Sequence, residues 1–591
     1  MCGIFALLNN KEDFVIHDYI VKQFNEGKHR GPDNSCINTS NNNFVGFHRL
    51  QINGLDEDSN QPFNINNILL ICNGEIYNYK ELFNNIFYKP TTNSDCEIII
   101  YLYMLYGIEY TLNLLDGVFA FILIDYNINK TFVCRDPYGV RPLFYLYNSG
   151  GILNTAFDET NSNNLIIFAS EVKQLIGFAD KYNDYKNAEN AENDVNAEND
   201  ENDNILYIKP CLPGEYLCLE LSDYNKWYLY DKKIYNTYKL NRQLTENKKD
   251  CIENAINNIH DIFYNAVKKR VNTSDRPIAC LLSGGLDSSI VTALVQKFYK
   301  KELETYSIGL EGSEDLLHAR KVATFLGTKH TEVVVSEEDF FNQIPDVIQK
   351  IESYDTTTVR ASVGNYLIGK FISENSEAKV IFNGDGSDEI MGGYLYTQSA
   401  PNHLEFDKES KRLLNDIYMF DVLRSDRSIS TNGLEPRTPF LDRQFVDYYL
   451  SIPSDIRFDT NKIQEKYLFR KAFDKNYIPK EILWRKKEAF SDGVSTLNRS
   501  WYKIIEEKVQ TQTLVKYDMN VEYNYNPPQT LEQVYYRTIF EQFYPNMGYL
   551  IPYFWMPKYI DATDSSARSL DIYNKSDKEF GSTDDLLKLI S

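Results

Sequence analysis

Short apolar runs separated by turn residues dominate the first two hundred positions. Runs such as Asn67–Cys72 ahead of Asn73-Gly74, Val118–Asp125 and Leu165–Ala169 predict strands divided by turns. Two stretches break this rhythm with a helical period: residues 14–27, and 95–106 with apolar Ile98, Ile99, Leu102 and Leu105. Many strands with few helices predict a layered α+β domain over residues 1–220. Inside it, residues 181–204 recycle an Asn-Ala-Glu-Asn unit with almost no apolar content, so that segment predicts an exposed loop unable to offset its own ordering entropy. Its carboxylates match no calcium-loop spacing. Strand-like residues 205–208 and 215–219 follow, so the insertion interrupts the first domain.

From about residue 250 the period changes. A helix over 251–270 precedes the apolar run Ile278–Leu282, then Ser283-Gly284-Gly285-Leu286-Asp287-Ser288-Ser289, then a helical pattern through Ile290, Val291, Leu294, Val295 and Phe298. A strand at 305–310, a helix at 313–326 ending on Gly327 and a strand at 331–335 come next. Lys379–Phe382 is strand-like and runs into Asn383-Gly384-Asp385-Gly386-Ser387-Asp388-Glu389. Strands alternating with helices predict an α/β domain over 245–560 with a doubly wound parallel sheet, whose ligands bind where strands end. The pattern beyond about 400 is mostly helical, and 561–591 reads as a polar, loosely held tail.

Composition narrows the function classes. The 62 Lys+Arg against 84 Asp+Glu leave a net charge of −22, which argues against a nucleic-acid coat or a basic membrane-surface protein. Nine cysteines form an odd set without a CxxC pair, which reads as a reducing, cytoplasmic setting rather than a disulfide or zinc framework. No apolar run approaches the roughly 18 residues of a membrane span. The opening Met1-Cys2-Gly3-Ile4-Phe5 lacks the basic start of a signal peptide.

Cys2 is the first candidate for chemistry. Once the initiator Met is removed, an N-terminal cysteine couples a nucleophilic thiol to its own α-amine, a base with a pKa near 8 (about 7.7–8.0). A buried structural thiol is the ordinary alternative. The segments His29-Arg30-Gly31-Pro32-Asp33, His48-Arg49-Leu50, Asn73-Gly74-Glu75-Ile76-Tyr77-Asn78, Ser94-Asp95-Cys96-Glu97, Arg135-Asp136 and Ala169-Ser170-Glu171-Val172-Lys173 follow in order. With them the chain resembles the N-terminal-nucleophile glutamine amidotransferases, which implies antiparallel sheets with flanking helices. By that resemblance Cys2 attacks the glutamine carboxamide, and Asn73 and Gly74 form the oxyanion hole. Arg49, Leu50, Gln51, Ile52, Asn53, Glu75 and Asp95 bind glutamine, with Arg49 as the fork for its carboxylate and Asp95 with Glu75 for its ammonium.

Ser283–Ser289 stands after a strand and opens a helix, the context of a phosphate cradle. It resembles the PP-loop of ATP pyrophosphatases. A second glycine-rich match, Gly364 to Phe371, fits GxxxxGK but ends in Phe and lies in a helical pattern without a preceding strand, so it reads as plain helix and not a Walker A loop. Three further segments fix the substrate class: Ile351–Ser362, Asn383–Glu389 and Leu434–Asp442. With the glutaminase half ahead of them, the chain resembles the glutamine-hydrolysing asparagine synthetases nearly end to end, down to Trp555-Met556-Pro557 and Ser566-Ala567-Arg568.

That resemblance implies ATP and L-aspartate as substrates, Mg²⁺ as cofactor, β-aspartyl-AMP as intermediate, pyrophosphate as product and a homodimer. It places Leu282, Ser283, Gly284, Gly285, Asp287, Ser288, Ile308, Asn383 and Gly384 on ATP, and Asp287 and Asp388 on Mg²⁺. It places Thr357, Thr358 and Arg360 on aspartate, with Lys466 stabilising charge at the reacting phosphorus. The family pattern SGEGSDE is NGDGSDE in this chain. Asp385 replaces a Glu proposed to act at the intermediate; its reach is one methylene shorter, and misplacement near 1 Å costs on the order of 10²-fold. A slower synthetase, sped up by Asp385→Glu, is the expectation. Three rivals are weaker. The PP-loop excludes amidotransferases with sugar-isomerase or phosphoribosyl domains, a β-lactam-forming relative would be expected to lack Cys2, and a degenerate binding protein has only Asp385 in its favour.

Overall fold

A computed structural model of the chain describes residues 1–10, 15–40, 43–148, 165–181, 206–236, 248–516, 523–571 and 573. The chain divides into two units, Met1–Thr237 and Tyr238–Ser591.

Among the described residues of the first unit, twelve strands form two six-stranded antiparallel sheets. One has the order β10-β8-β9-β1-β3-β2, from β1 (Gly3–Leu8), β2 (Asn34–Ser40), β3 (Asn43–Arg49), β8 (Phe144–Asn148), β9 (Ile166–Ala169) and β10 (Leu206–Pro210). The other has the order β12-β11-β7-β6-β5-β4, from β4 (Phe63–Ile65), β5 (Ile68–Ile76), β6 (Gly117–Asp125), β7 (Lys130–Arg135), β11 (Glu215–Leu221) and β12 (Trp227–Ile234). Along β5 the side chains alternate between two cores. Leu69 and Ile71 meet Ile4, Val45 and Ile122 between the sheets, while Leu70 and Cys72 face the helix Ile98–Leu114. On the far side of the first sheet, the helix His17–Asn25 lays Phe24 edge-on against Phe5, ring centroids 6.0 Å apart. A sheet covered on both faces needs apolar residues at every position, which explains the unbroken run Ile68–Cys72.

Asn73-Gly74 is not the turn its composition predicts. It lies inside β5, where nine successive residues pair with β6 from Ile68↔Asp125 to Ile76↔Gly117. Register with a long neighbour overrides the local Asn-Gly preference. Glycine is required for a different reason: a Cβ at Gly74 would lie 2.7 Å from the Val118 carbonyl oxygen. The second predicted helix runs on to Leu114, across a break at Gly107 with φ of 75°. The Asn-rich stretch falls outside the described residues from 182 onward, and the strands on either side of it, β9 and β10, belong to the same sheet.

The second unit carries a five-stranded parallel sheet of order β15-β14-β13-β16-β17. Its strands are β13 (Ile278–Leu281), β14 (Glu304–Leu310), β15 (Lys329–Val335), β16 (Val380–Phe382) and β17 (Glu435–Arg437). The chain steps outward from β13 to β15, then returns to the other side of β13 for β16 and β17. That reversal opens a crevice at the C-terminal ends of β13 and β16, where open α/β sheets place their ligands. The loops leaving those two strands are Leu282–Gly285 and Asn383–Gly386. Gly364–Phe371 lies within the helix Thr356–Asn375, as expected of plain helix.

The tail departs from expectation over its described part. Arg568 donates to Glu488 at 2.6 Å and to the Thr496 carbonyl at 2.8 Å, and Ser566 donates to Asp492 at 2.6 Å. Buried carboxylates with a cationic partner hold a polar segment that composition alone marks as loose. Among the described residues no helix is long and apolar enough to cross a membrane.

Candidate functional site

Motifs far apart in sequence meet around Cys2. The half-buried residue enters β1, its thiol pointing toward the Leu50 carbonyl at 3.7 Å. Its own carbonyl accepts from Arg30 Nε at 3.0 Å. Arg30 is fully buried and pairs with Glu171 at 3.0 Å; His29 at 3.0 Å and Lys173 at 2.9 Å reach the other oxygen of the same carboxylate. Burial works against that charge, but Lys173, His29 and Arg30 together hold the Glu171 carboxyl well below its usual range. Ser170 Oγ accepts from the Ile4 amide at 3.0 Å. Gly31 admits no side chain, since a Cβ would stand 2.3 Å from the His48 carbonyl. The residues that anchor the Cys2 backbone therefore come from the His29–Asp33 and Ala169–Lys173 segments.

The residues carried over as glutamine ligands line up beyond the end of β3. Arg49 is buried and donates to the Asp56 carbonyl at 2.9 Å, to Asn60 at 2.7 Å, to the Asn53 carbonyl at 3.3 Å and to the Gly54 carbonyl. Leu50 and Ile52 are buried, the Gln51 amide donates to Asp33 at 2.8 Å, and Asn53 donates to Glu75 at 2.5 Å. Asp95 accepts from the Ile76 amide at 2.6 Å. Both amide atoms of Asn73 are buried with no hydrogen-bond partner among the described residues. A desolvated amide left open is costly in a folded chain, and a ligand oxygen would complete it.

In the second unit one cavity collects the loops that leave β13 and β16. Gly284 sits at φ of 70°, and a Cβ there would lie 2.4 Å from the Ala319 amide nitrogen. Gly285 opens the helix Leu286–Phe298, with the Ser283 and Ser288 hydroxyls 3.0 Å apart across the turn. Gly384 lets the second loop press on the first, because a Cβ would stand 2.9 Å from Asp287 Cβ and from the Ser288 amide nitrogen. Leu282 and Ile308 give the cavity an apolar wall.

Lys466 stands at the centre. Its Nζ lies 2.6 Å from both Asp287 and Asp388 and 2.8 Å from Ser387 Oγ. The residue holds a left-handed conformation, φ of 57°, with its amide tied to Asn461 at 2.6 Å. Gly393 leaves the room: a Cβ there would lie 2.1 Å from Lys466 Cε. Lys487, which sequence reading missed, reaches Asp388 at 2.6 Å and Asp287 at 3.7 Å. Burial opposes ionisation of Asp388, yet Lys466 and Lys487 outweigh it and hold the carboxyl far below its usual range. The three consecutive cations Arg485-Lys486-Lys487 were the available signal. Asp287 Oδ1 is buried without a hydrogen-bond partner among the described residues.

Two of the aspartate trio, Thr357 and Thr358, line the cavity together, and the third does not. Thr357 lines the cavity with its hydroxyl unpartnered among the described residues, whereas Thr358 gives its amide and hydroxyl to the helix-capping Asp355 at 2.9 and 2.7 Å. Arg360 lies outside the cavity lining, forked onto Glu532 at 2.6 and 2.8 Å and paired with Asp564 at 2.8 Å. Asp385 does face the cavity and receives Arg424 at 2.9 Å. Beside it Glu389 is buried and accepts from Tyr394 at 2.5 Å, while burial, with Asp421 and Asp388, pushes its carboxyl well up.

A nucleophile-bearing amidotransferase joined to a nucleotide-dependent synthetase is the class these two sites define. The glutamine amidotransferase domain model matches residues 1–228, and the asparagine synthase model matches 258–408 and 398–548. The chain is 40% identical to the glutamine-hydrolysing asparagine synthetases of Gallus gallus over 606 residues and of Homo sapiens over 602, covering 98% of this chain and 100% of each relative. It belongs to the glutamine-hydrolysing asparagine synthetase family.

Proposed function

We propose that the chain works by two half-reactions at the two sites. The overall conversion is that of its family: L-aspartate becomes L-asparagine at the expense of ATP, with nitrogen drawn from L-glutamine. In the first unit Cys2 attacks the glutamine carboxamide, a glutamyl thioester forms and ammonia leaves. The α-amine exposed by loss of Met1 is the base, and Asn73 with Gly74 receives the tetrahedral oxygen. The open amide of Asn73 supports that role, and Arg49 with Glu75 and Asp95 supplies charges for the substrate's zwitterionic end. In the second unit the β-carboxylate of aspartate attacks the α-phosphorus of ATP, releasing pyrophosphate. Ammonia then displaces AMP from β-aspartyl-AMP. Ser283–Ser288 and Asn383-Gly384 cradle the nucleotide, with Leu282 and Ile308 against the base. Lys466 and Lys487 oppose the charge that develops at phosphorus. Thr357 and Thr358 take aspartate, a role supported by their place in the cavity lining and by the unpartnered Thr357 hydroxyl.

Asp287 and Asp388 suit Mg²⁺, a cation that takes one or two carboxylates and fills its octahedron with phosphate oxygens and water. The unpartnered Asp287 Oδ1 supports the fit. When bound, the ion would neutralise the departing pyrophosphate. A homodimer and a cytoplasmic setting complete the reading; sedimentation of the purified chain at micromolar concentration tests the first.

The observation carrying this reading is the joint convergence of the PP-loop, Asn383–Asp388 and Lys466 on one cavity, in a chain that matches both family models. Asparagine and pyrophosphate are measured from aspartate, ATP and Mg²⁺ with glutamine or with ammonia. Cys2→Ala is expected to lose glutamine-dependent synthesis by more than about 10³-fold and to keep ammonia-dependent synthesis within about twofold. Glutamine hydrolysis without pyrophosphate under either donor would sink the synthetase half.

A further inference from the structure

The two departures from the family pattern touch each other. Asn383 Nδ2 donates to Asp385 Oδ2 at 2.7 Å and to Ser425 Oγ at 2.7 Å, so both of its N–H bonds are engaged. Arg424 donates to the other Asp385 oxygen, Oδ1, at 2.9 Å. Each carboxylate oxygen thus has its own donor, which fixes rotation of the group about its last bond. The reciprocal contact, from the Asp385 amide to Asn383 Oδ1, is long at 3.4 Å. Arg424 is itself anchored by Asp421, which also accepts from the Gly386 amide at 3.1 Å.

We infer that Asn383 is a positioning residue for Asp385, and that Asn383 and Asp385 act as a matched pair in place of the Ser and Glu of the family pattern. This inference rests on the proposed synthetase reading of the cavity. A serine at 383 has one O–H, and its oxygen sits one atom closer to the backbone than the amide nitrogen. That shorter reach draws its single donor back from Asp385, leaving Oδ2 without its donor. A glutamate at 385 carries its carboxylate one methylene farther out, past the amide of Asn383, and loses that donor too. Asn with Asp, or Ser with Glu, is self-consistent; either mixed pair is not. The side-chain amide is committed to its neighbours, so the nucleotide contact expected of Asn383 falls to its backbone. The slower turnover expected from a short carboxylate is offset where the carboxylate is held rigidly.

The test is a double-mutant cycle on the full chain, read as ammonia-dependent asparagine and pyrophosphate formation, with kcat, KM for ATP and aspartate, and melting temperature for each protein. Asn383→Ser is expected to lower kcat about tenfold, with KM for ATP changed less than about twofold. Asp385→Glu alone is expected to be no faster than the parent, and the double variant N383S/D385E to recover at least about fivefold over N383S. Ser425→Ala is the control: it removes the other bond of Asn383 and the Ser425 hydroxyl beside Asp385, but keeps the Asn383 and Arg424 donors of Asp385, and is expected to stay within about twofold in kcat even if it melts as early as N383S. Equal effects of Asn383→Ser in the parent and in the D385E background would overturn the pairing, as would a kcat loss in Ser425→Ala matching that of N383S. Absence of pyrophosphate and asparagine from the parent chain with ammonia is a separate failure: it removes the synthetase reading, and the pairing falls with it.

Discussion

At the proposed glutamine end, Arg49 gives its guanidinium to backbone carbonyls and to Asn60, and Asn73 keeps both amide atoms without a partner among the described residues; at the proposed nucleotide end, Lys466, Lys487, Asp287 and Asp388 neutralise one another. The difference follows from what each cavity must hold. Glutamine has no net charge, so its site can stand ready with directional donors and few loose charges. A nucleoside triphosphate brings several charges at once. Lysines in a desolvated cavity would be unstable alone, and carboxylates offset their charge. One site holds an open amide toward its ligand, and in the other the charged side chains hold one another.

That contrast can be broken most sharply at Lys466. Lys466→Met leaves Asp287 and Asp388 with Lys487 as their remaining cation and removes a positive charge from the cavity. Pyrophosphate formation is expected to fall by about 10²–10³-fold with either nitrogen donor, while glutamine hydrolysis in the first unit stays within about twofold. A comparable loss of glutaminase activity would show that the two sites are not separable as described.

Arg360 sharpens the comparison from the other side. Family resemblance puts it on aspartate, but the structure forks it onto Glu532 and Asp564. Burial opposes its charge, and the two carboxylates more than restore it. Breaking a buried ion pair from one side typically costs about 3–5 kcal/mol. Arg360→Met is therefore expected to lower the melting temperature by several degrees and leave KM for aspartate within about threefold. A KM rise of tenfold or more at unchanged melting temperature would return Arg360 to the substrate.

Legibility in the sequence followed the same divide. The doubly wound sheet was readable because Ile278–Leu282 and Lys379–Phe382 end on glycine-rich loops, and local punctuation of that kind survives folding. Cys2 and the PP-loop were placed by motif, and Lys466 by family position alone. What escaped depends on long-range partners. Asn73-Gly74 reads as a turn until β6 lies beside it, and Lys487 reads as a solvated lysine until Asp388 lies 2.6 Å away. The short β17, Glu435–Arg437, has no strand pattern of its own and exists because β16 pairs with it. Arg568 looks like tail composition until Glu488 meets it. Asn383 and Asp385 were each legible as a departure, but their contact was not.

The smallest predicted effect contrasts the two units in their response to pH. In the first unit His48 is fully buried, stacked on Phe24 with ring centroids 3.7 Å apart, and burial pushes its pKa down to about 4. A depressed folded pKa contributes stability above the ordinary histidine value, and that contribution is lost as pH falls toward 4. In the second unit Asp315 is buried with Oδ2 unpartnered among the described residues, and Arg485 lies 3.9 Å from Oδ1. Burial pushes its carboxyl up to about 7, with Arg485 opposing and Glu488 adding to the rise. Here the folded pKa lies above the unfolded one, so the contribution is present at low pH and is lost as pH rises through about 7. His48 weakens the first unit in acid; Asp315 weakens the second toward neutrality. Asp315→Asn keeps the shape and removes the charge. Its melting temperature relative to the parent is expected to be about 2–4 °C more favourable at pH 8 than at pH 5, read by thermal unfolding in matched salt. An identical offset at both pH values would mean that Asp315 does not titrate in this window, and the opposed response of the two units would lose its second half.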